Sequence, residues 1–188
     1  MSEHWLALYT FAQFRTRAHD PVNDEFFSSE AAIWAAMERA DGFIARAGYE
    51  DEAGTEIWGE QVFPKYWTDN GDGFAPSTIS LWQDLESALA AVYRGAHAEI
   101  MRLGPLFESN TAEYPPYVLW WVPKEHQPDW DEAVERLELL GDDGPTADAF
   151  TFKAAFSPSR KPVTVDTDRS RAIAEHNRLR ADLPKSVQ

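Results

Sequence analysis

The sequence predicts an α+β domain with an antiparallel sheet, in which strands alternate with helices. Two runs rich in β-branched and aromatic residues, at positions 5–14 and 117–122, are typical of strands. A third stretch, at positions 84–103, spaces its apolar residues three and four apart, as an amphipathic helix does. Together they favour a sheet covered by helices.

The run at 117–122 sets the expected layering. Prolines precede and follow it, which is typical of a short strand with defined ends. Because strand side chains alternate and all six here are apolar or aromatic, neither face of the strand is polar. The expected faces are Val118, Trp120 and Val122 on one side and Tyr117, Leu119 and Trp121 on the other. We therefore expect a helix layer on one face and a second sheet, from another subunit, on the other.

The first half of the chain predicts a strand, a helix, a second strand and a loop. The strand at 5–14 alternates apolar residues on both faces. Ser28 or Ser29 can cap a helix that runs to about Ala40, and a weaker strand follows at 43–49. The loop at 56–77 mixes aromatic residues with Gly, Pro, Asp and Asn. Its aromatic residues either pack on the protein's own surface or cover a cavity.

The second half continues with a strand at 77–82, a helix capped by Asp84, and the strand at 117–122. A further helix begins at Asp129 or Asp131 and ends near Leu140, before an extended segment at 150–156. The order strand, helix, strand, loop, strand, helix, strand is that of the ferredoxin-like split βαβ topology. An antiparallel sheet with helices on one face leaves its other face bare, so we expect two subunits to pair there.

Length and composition indicate one domain at 1–156 and a polar tail at 157–188, in which residues 169–179 can form a short helix. We expect this tail to lie loosely on the surface. The net charge of −15 disfavours nucleic acid and anionic membrane surfaces as partners. The chain has no cysteine, no signal peptide and no apolar run long enough to span a membrane, which predicts a cytoplasmic protein.

The most suggestive set of functional side chains lies on the helix that follows Asp84. Tyr93, His97 and Met101 occur at i, i+4 and i+8 and so share one ridge. His97 can act there as a proton shuttle, a hydrogen-bond donor or an axial haem ligand. It can equally be a boundary histidine bonded to a backbone carbonyl. His126 lies in the loop after the strand at 117–122, where binding residues concentrate, or it forms a turn.

Other chemistries find no support in the sequence. Neither a metal-binding histidine motif nor a serine nucleophile motif is present, and no glycine-rich loop follows a strand to hold phosphate. The acidic runs have the spacing of solvated helix faces and turns. We therefore do not expect hydrolysis or phosphoryl transfer.

Several motifs resemble the bacterial domain-of-unknown-function family 3291. They are L-W-W-V-P-x-x-H-x-P at 119–128, E-A-x-x-R-L-E-x-L at 132–140, G-P-T-x-x-A-F-T-F at 144–152, S-x-W at 80–82 and V-Y-R-x-x-H at 92–97. The resemblance spans residues 4 to 156. That family is similar to the dimeric α/β-barrel superfamily, which includes antibiotic-biosynthesis and haem-degrading monooxygenases. The resemblance implies this fold, a homodimer and a pocket between helix and sheet.

Three hypotheses for the function follow. The first is an enzyme of secondary metabolism for a bulky aromatic or polyketide-like molecule, a cofactor-independent monooxygenase or a cyclase/isomerase. In it His97 and Tyr93 are catalytic, and the substrate-binding residues are Trp5, Tyr9, Trp82, Met101, Trp120 and His126. The second is a haem protein with His97 as ligand. The third is a non-catalytic binding or interaction module.

Overall fold

The computed structural model describes residues 3–50, 52–94, 104–107 and 114–181. It confirms an α+β fold. The strands are β1 (His4–Phe11), β2 (Phe43–Arg46), β3 (Ser77–Trp82), β4 (Tyr117–Pro123), β5 (Ala155–Phe156) and β6 (Pro162–Val163). The helices are α1 (Asp24–Glu38), α2 (Leu85–Arg94), α3 (Trp130–Asp143) and α4 (Thr167–Ala181), with 3₁₀ turns at Pro21–Asn23 and Gly104–Leu106.

The four long strands form one antiparallel sheet in the order β2-β3-β1-β4. In its centre Tyr9 lies opposite Ile79 on β3 and opposite Val118 on β4. β4 is an edge strand, and its outer side is capped in part by the segment after α3. There the Leu119 and Phe150 backbones exchange two N–H···O bonds of 2.8 and 2.9 Å. A small second sheet pairs β5 with β6.

The sheet is covered on both faces, and side chains alternate between them as the sequence predicted. On one face Leu6, Leu8 and Leu119 pack with residues of α1 and α2. On the other face Tyr9, Val118 and Trp120 pack with α3 and with residues of the loop after β2. The second layer therefore comes from the same chain, and the bare face expected to pair with a second subunit is not found among the described residues.

Two helix starts agree with the sequence and one does not. Asp84 accepts a hydrogen bond from the Ser87 N–H at 2.9 Å, and Asp129 accepts one from the Glu132 N–H at 2.8 Å, which caps α2 and α3 as expected. The expected cap of α1 at Ser28 or Ser29 is wrong, because α1 begins at Asp24 after a 3₁₀ turn. That turn is capped by Asp20. Both serines lie inside the helix, and their hydroxyls donate to carbonyls three residues earlier.

The C-terminal segment is folded against the domain, unlike the loose tail expected from its polar composition. The expected helix at 169–179 is confirmed with wider bounds, as α4. Val165 is 7% exposed, and Ser170 is fully buried. Arg169 binds Asp84 and Glu86 at the start of α2. α4 therefore extends the helix layer on the α1 and α2 side of the sheet.

Candidate functional site

An open cleft lies beyond the end of edge strand β2, between α1 and the long loop. Its volume is about 660 Å³. The residues that line it come from the turn before α1, from α1, from the turn after β2, from the loop at 56–77 and from α3. They are His19, Phe27, Glu30, Gly48, Tyr49, Glu50, Ile57, Gly59, Glu60, Gln61, Phe63, Gly73, Phe74 and Trp130. The expected loop at 56–77 thus both packs into the core and borders a cavity.

Aromatic rings form one wall of this cleft. Tyr49 and Trp130 stack with their ring centroids 6.2 Å apart, and Tyr9 meets Trp130 edge-on at 6.3 Å from the protein interior. The Tyr49 hydroxyl donates to the Ser77 carbonyl at 2.7 Å, and the Gln61 amide donates to the Ser77 hydroxyl at 2.8 Å. Both cleft residues are therefore held by the start of β3, so the wall is fixed to the sheet.

Arg46, the last residue of β2, holds the turn that carries Tyr49 and Glu50. Its side chain is 4% exposed and lies 4.3 Å from the Trp34 ring centre. The guanidinium donates to Glu38 of α1 at 2.8 Å and binds Glu52 of the turn with two bonds. Since one buried cation joins helix, strand and turn, Arg46 is a positioning residue for this side of the cleft.

Carboxylates and one imidazole stand around the aromatic wall. Glu30, Glu50 and Glu60 contribute to the lining. The His19 ring stacks on Phe27 with centroids 6.3 Å apart. Burial raises the pKa of the Tyr49 hydroxyl well above its ordinary value, and the nearby charge of Glu30 raises it further. Tyr49 therefore remains a neutral phenol, suited to hydrogen bonding rather than to accepting a proton.

The ridge predicted to be catalytic is only partly described. His97 and Met101 lie outside the described residues. Tyr93 is 38% exposed and packs edge-on against Tyr117 and Phe152, with centroids 6.2 and 5.9 Å away. Burial raises the pKa of its hydroxyl, and neighbouring Tyr117 raises it further. This cluster is on the α2 side of the sheet and is not part of the cleft lining.

The aromatic residues predicted to bind substrate are divided between the two faces of the sheet. Trp82 is fully buried on the α1 and α2 side, where its indole N–H donates to the Ser80 hydroxyl at 2.9 Å. Tyr9 and Trp120 are buried on the α3 side. Trp5 is partly buried there, beneath the Lys124 ammonium at 4.3 Å. The structure does not bring these four rings into one wall.

His126 lies in the turn before α3, at the end of the sheet. Its Nε2 shares a hydrogen bond of 2.6 Å with Glu132. Glu132 also accepts the Trp120 indole N–H at 2.9 Å and an Arg136 N–H at 3.2 Å. The group ties α3 to β4, which gives His126 a structural partner in addition to its predicted role in binding.

Sequence reasoning missed the residues that form the cleft. His19 carried no signal, because it lies in a turn without a neighbouring histidine or cysteine. Tyr49 was interpreted only as the end of a weak strand. The one useful signal was the aromatic content of the loop, which includes Phe63 and Phe74. Nothing in a single sequence indicates that these rings meet Trp130 of α3.

Among the described residues, no three His, Asp or Glu side chains come together as a group that could hold a metal ion. No helix in the described part of the chain has the length and apolar character needed to cross a bilayer. Residues 5–166 match the family described as Domain of unknown function (DUF3291). No match was found among curated proteins or among solved structures.

Proposed function

Since the chain belongs to the DUF3291 family, for which no activity is assigned, we propose a function from the geometry: it binds a bulky aromatic small molecule in the cleft beside β2. The observation that carries this proposal is the cleft itself, about 660 Å³ with an aromatic wall. Pockets for small organic molecules have volumes of about 300–1,000 Å³ and combine apolar walls with a few placed polar groups. The cleft fits both criteria.

The wall can hold a flat ring by stacking and can orient it by hydrogen bonds. Stacked or edge-on aromatic pairs contribute roughly 0.5–1.5 kcal/mol beyond the area they bury. The exposed parts of Tyr49, Phe63 and Phe74 offer such faces. The Gln61 side chain supplies a carbonyl oxygen as well as the amide that binds Ser77. Binding is therefore the activity for which the described residues are best arranged.

A substitution that fills the cleft tests this proposal. Ile57 lines the cleft and is 50% exposed. The larger side chain in Ile57→Trp should therefore narrow the cleft without having to fit into the core. We expect isothermal titration calorimetry with uncharged polycyclic aromatic alcohols to show binding to the wild type and a loss of about tenfold or more in the variant. Ile44→Trp is the matched control, because Ile44 is 37% exposed and outside the cleft. Equal binding by all three proteins contradicts the proposal.

An enzyme of the kind expected from the sequence, a cofactor-independent monooxygenase or a cyclase/isomerase, is a second candidate. The observation that favours it is the half-exposed Tyr93 in a cluster with Tyr117 and Phe152, next to the stretch that contains His97. Haem binding through His97 is the alternative at the same place.

Two variants separate these activities from simple binding. We expect His97→Gln to abolish turnover of an aromatic substrate or the haem absorption band, whichever the wild type shows. Tyr93→Phe should lower turnover about 10²-fold or more if the hydroxyl transfers a proton, and should leave haem binding unchanged. If the wild type shows neither turnover nor haem absorption, the protein is a binding module.

We also propose that the fold is the ferredoxin-like split βαβ of the dimeric α/β-barrel superfamily. The strand order β2-β3-β1-β4 and the helices that follow β1 and β3 support it. A homodimer is expected from the apolar faces of the strands and from the resemblance, and it would have to form around α3 and the loop, which cover the face expected to pair. Multi-angle light scattering of the purified protein tests it, since a single-subunit mass would exclude the dimer. A cytoplasmic location likewise stays a prediction.

A further inference from the structure

We infer that the ligand of the cleft is an organic cation: an aromatic or otherwise bulky molecule that carries an amine or a quaternary ammonium group. This inference rests on the proposed function, because it names the chemical class of the molecule that the cleft binds. It is based on the charges of the lining residues and on the aromatic wall behind them.

The charged side chains in the lining favour a positive ligand. Glu50 and Glu60 contribute exposed carboxylates, and no Lys or Arg is among the described residues that line the cleft. Arg46, which holds the turn beside the cleft, is 4% exposed and is already bound to Glu38 and Glu52. It is therefore not free to neutralise the carboxylates at the opening or to bind an anionic ligand.

The wall behind these carboxylates is one that ammonium groups prefer. The ring faces of Trp, Tyr and Phe are negative at their centres, so they attract cations that lie within about 6 Å. Phe27, Tyr49, Phe63, Phe74 and Trp130 all contribute to the lining. The free-energy cost of removing a cation from water is offset when it passes between carboxylates onto ring faces. An anion would be repelled by the carboxylates and by the ring faces.

The charges near the aromatic wall agree with this preference. The nearby charge of Glu30 raises the pKa of the Tyr49 hydroxyl, and Arg46 lowers it by less. The whole chain adds a longer-range effect, because its net charge of −15 attracts cations.

Three probes of matched shape test the inference: naphthylmethyl-trimethylammonium, its uncharged tert-butyl isostere and naphthylmethyl-sulfonate. We expect calorimetry at low ionic strength to show the ammonium binding about tenfold or more tightly than the isostere, with no binding of the sulfonate. Glu60→Gln, at an exposed lining position, should weaken the ammonium about three- to tenfold and leave the isostere unchanged. Adding salt should reduce the difference in affinity between the ammonium and the isostere.

The control is Glu135→Gln, which removes the same charge from an exposed position on α3 outside the cleft. We expect it to bind the ammonium as the wild type does. If the isostere binds as tightly as the ammonium, or if Glu135→Gln weakens binding as much as Glu60→Gln, the inference is overturned while the proposed function stands. If none of the three probes binds, both fail together.

Discussion

Replacing Arg46 with Met should lower the free energy of unfolding by about 3 kcal/mol, measured by urea denaturation followed by circular dichroism. The cost comes from what remains after the guanidinium is gone. Glu38 and Glu52 lose the cation between them, and Trp34 loses the group stacked on its ring. Methionine keeps most of the aliphatic contact, so the loss reports the charge and its hydrogen bonds rather than a cavity.

Arg160→Met is the matched control. Arg160 forms two bonds to Asp148, at 2.6 and 2.7 Å, but its side chain is 63% exposed. Exposed ion pairs contribute about 0–1 kcal/mol, because water and salt screen them. We therefore expect this variant to unfold at nearly the same urea concentration as the wild type. If both variants lose the same free energy, burial does not decide the role of Arg46.

The same ion pair makes the free energy of unfolding depend on pH in the acidic range. The Arg46 guanidinium holds the pKa of Glu52 below its ordinary 4.5 in the folded protein. A carboxylate with a lowered folded-state pKa stabilises the fold above the unfolded value, and that contribution is lost as the pH falls through the folded-state value. The free energy of unfolding should therefore decrease below pH 4.5 in the wild type, and less steeply in Arg46→Met.

The parts of the fold that follow from local patterns were predicted from the sequence. Alternation placed Tyr9 and Leu8 on opposite faces of β1, and Trp120 and Leu119 on opposite faces of β4, and the structure confirms both. The caps at Asp84 and Asp129 were also found, because each depends on residues within one helical turn. Such features need no knowledge of distant contacts.

The cleft could not be predicted because it depends on contacts between distant segments. Trp130 begins α3, yet its ring completes a wall made by Tyr49 after β2. The sequence offered a helix layer on one face and no reason to place α3 on the other. A sheet with one bare face and a sheet covered there by α3 have the same strand patterns. The sequence analysis therefore expected a second subunit on the face where the chain's own helix packs.

Arg46 shows how a correct observation can be given the wrong weight. The strand at 43–49 was predicted to be weaker because Arg46 and Gly48 interrupt its apolar pattern, and β2 does end at Arg46. A charged residue between apolar neighbours also predicts a buried ion pair, for which Glu38 and Glu52 were available within eight residues. The sequence therefore contained the partners of Arg46 but not the geometry that makes the pair support the cleft.

Removing the C-terminal helix α4 should have the second large effect on the free energy of unfolding. A chain that ends at Thr164 lacks α4 and should lose about 3 kcal/mol of unfolding free energy, although composition alone predicts a tail that can be removed at little cost. Its ion pairs cannot account for that loss, because Arg169 is 51% exposed where it binds Asp84 and Glu86. The apolar contact must supply most of it, and Val165 is the residue that enters the cluster with Leu85 and Val92.

A pair of valines on the same segment isolates that contact. Val165 is 7% exposed and Val163 is 39% exposed, so the same change to Ala removes the same atoms from two environments. We expect Val165→Ala to cost about 2 kcal/mol and Val163→Ala less than about 0.5 kcal/mol, both from urea denaturation. If the shortened chain and Val165→Ala both unfold like the wild type, α4 rests on the domain without stabilising it.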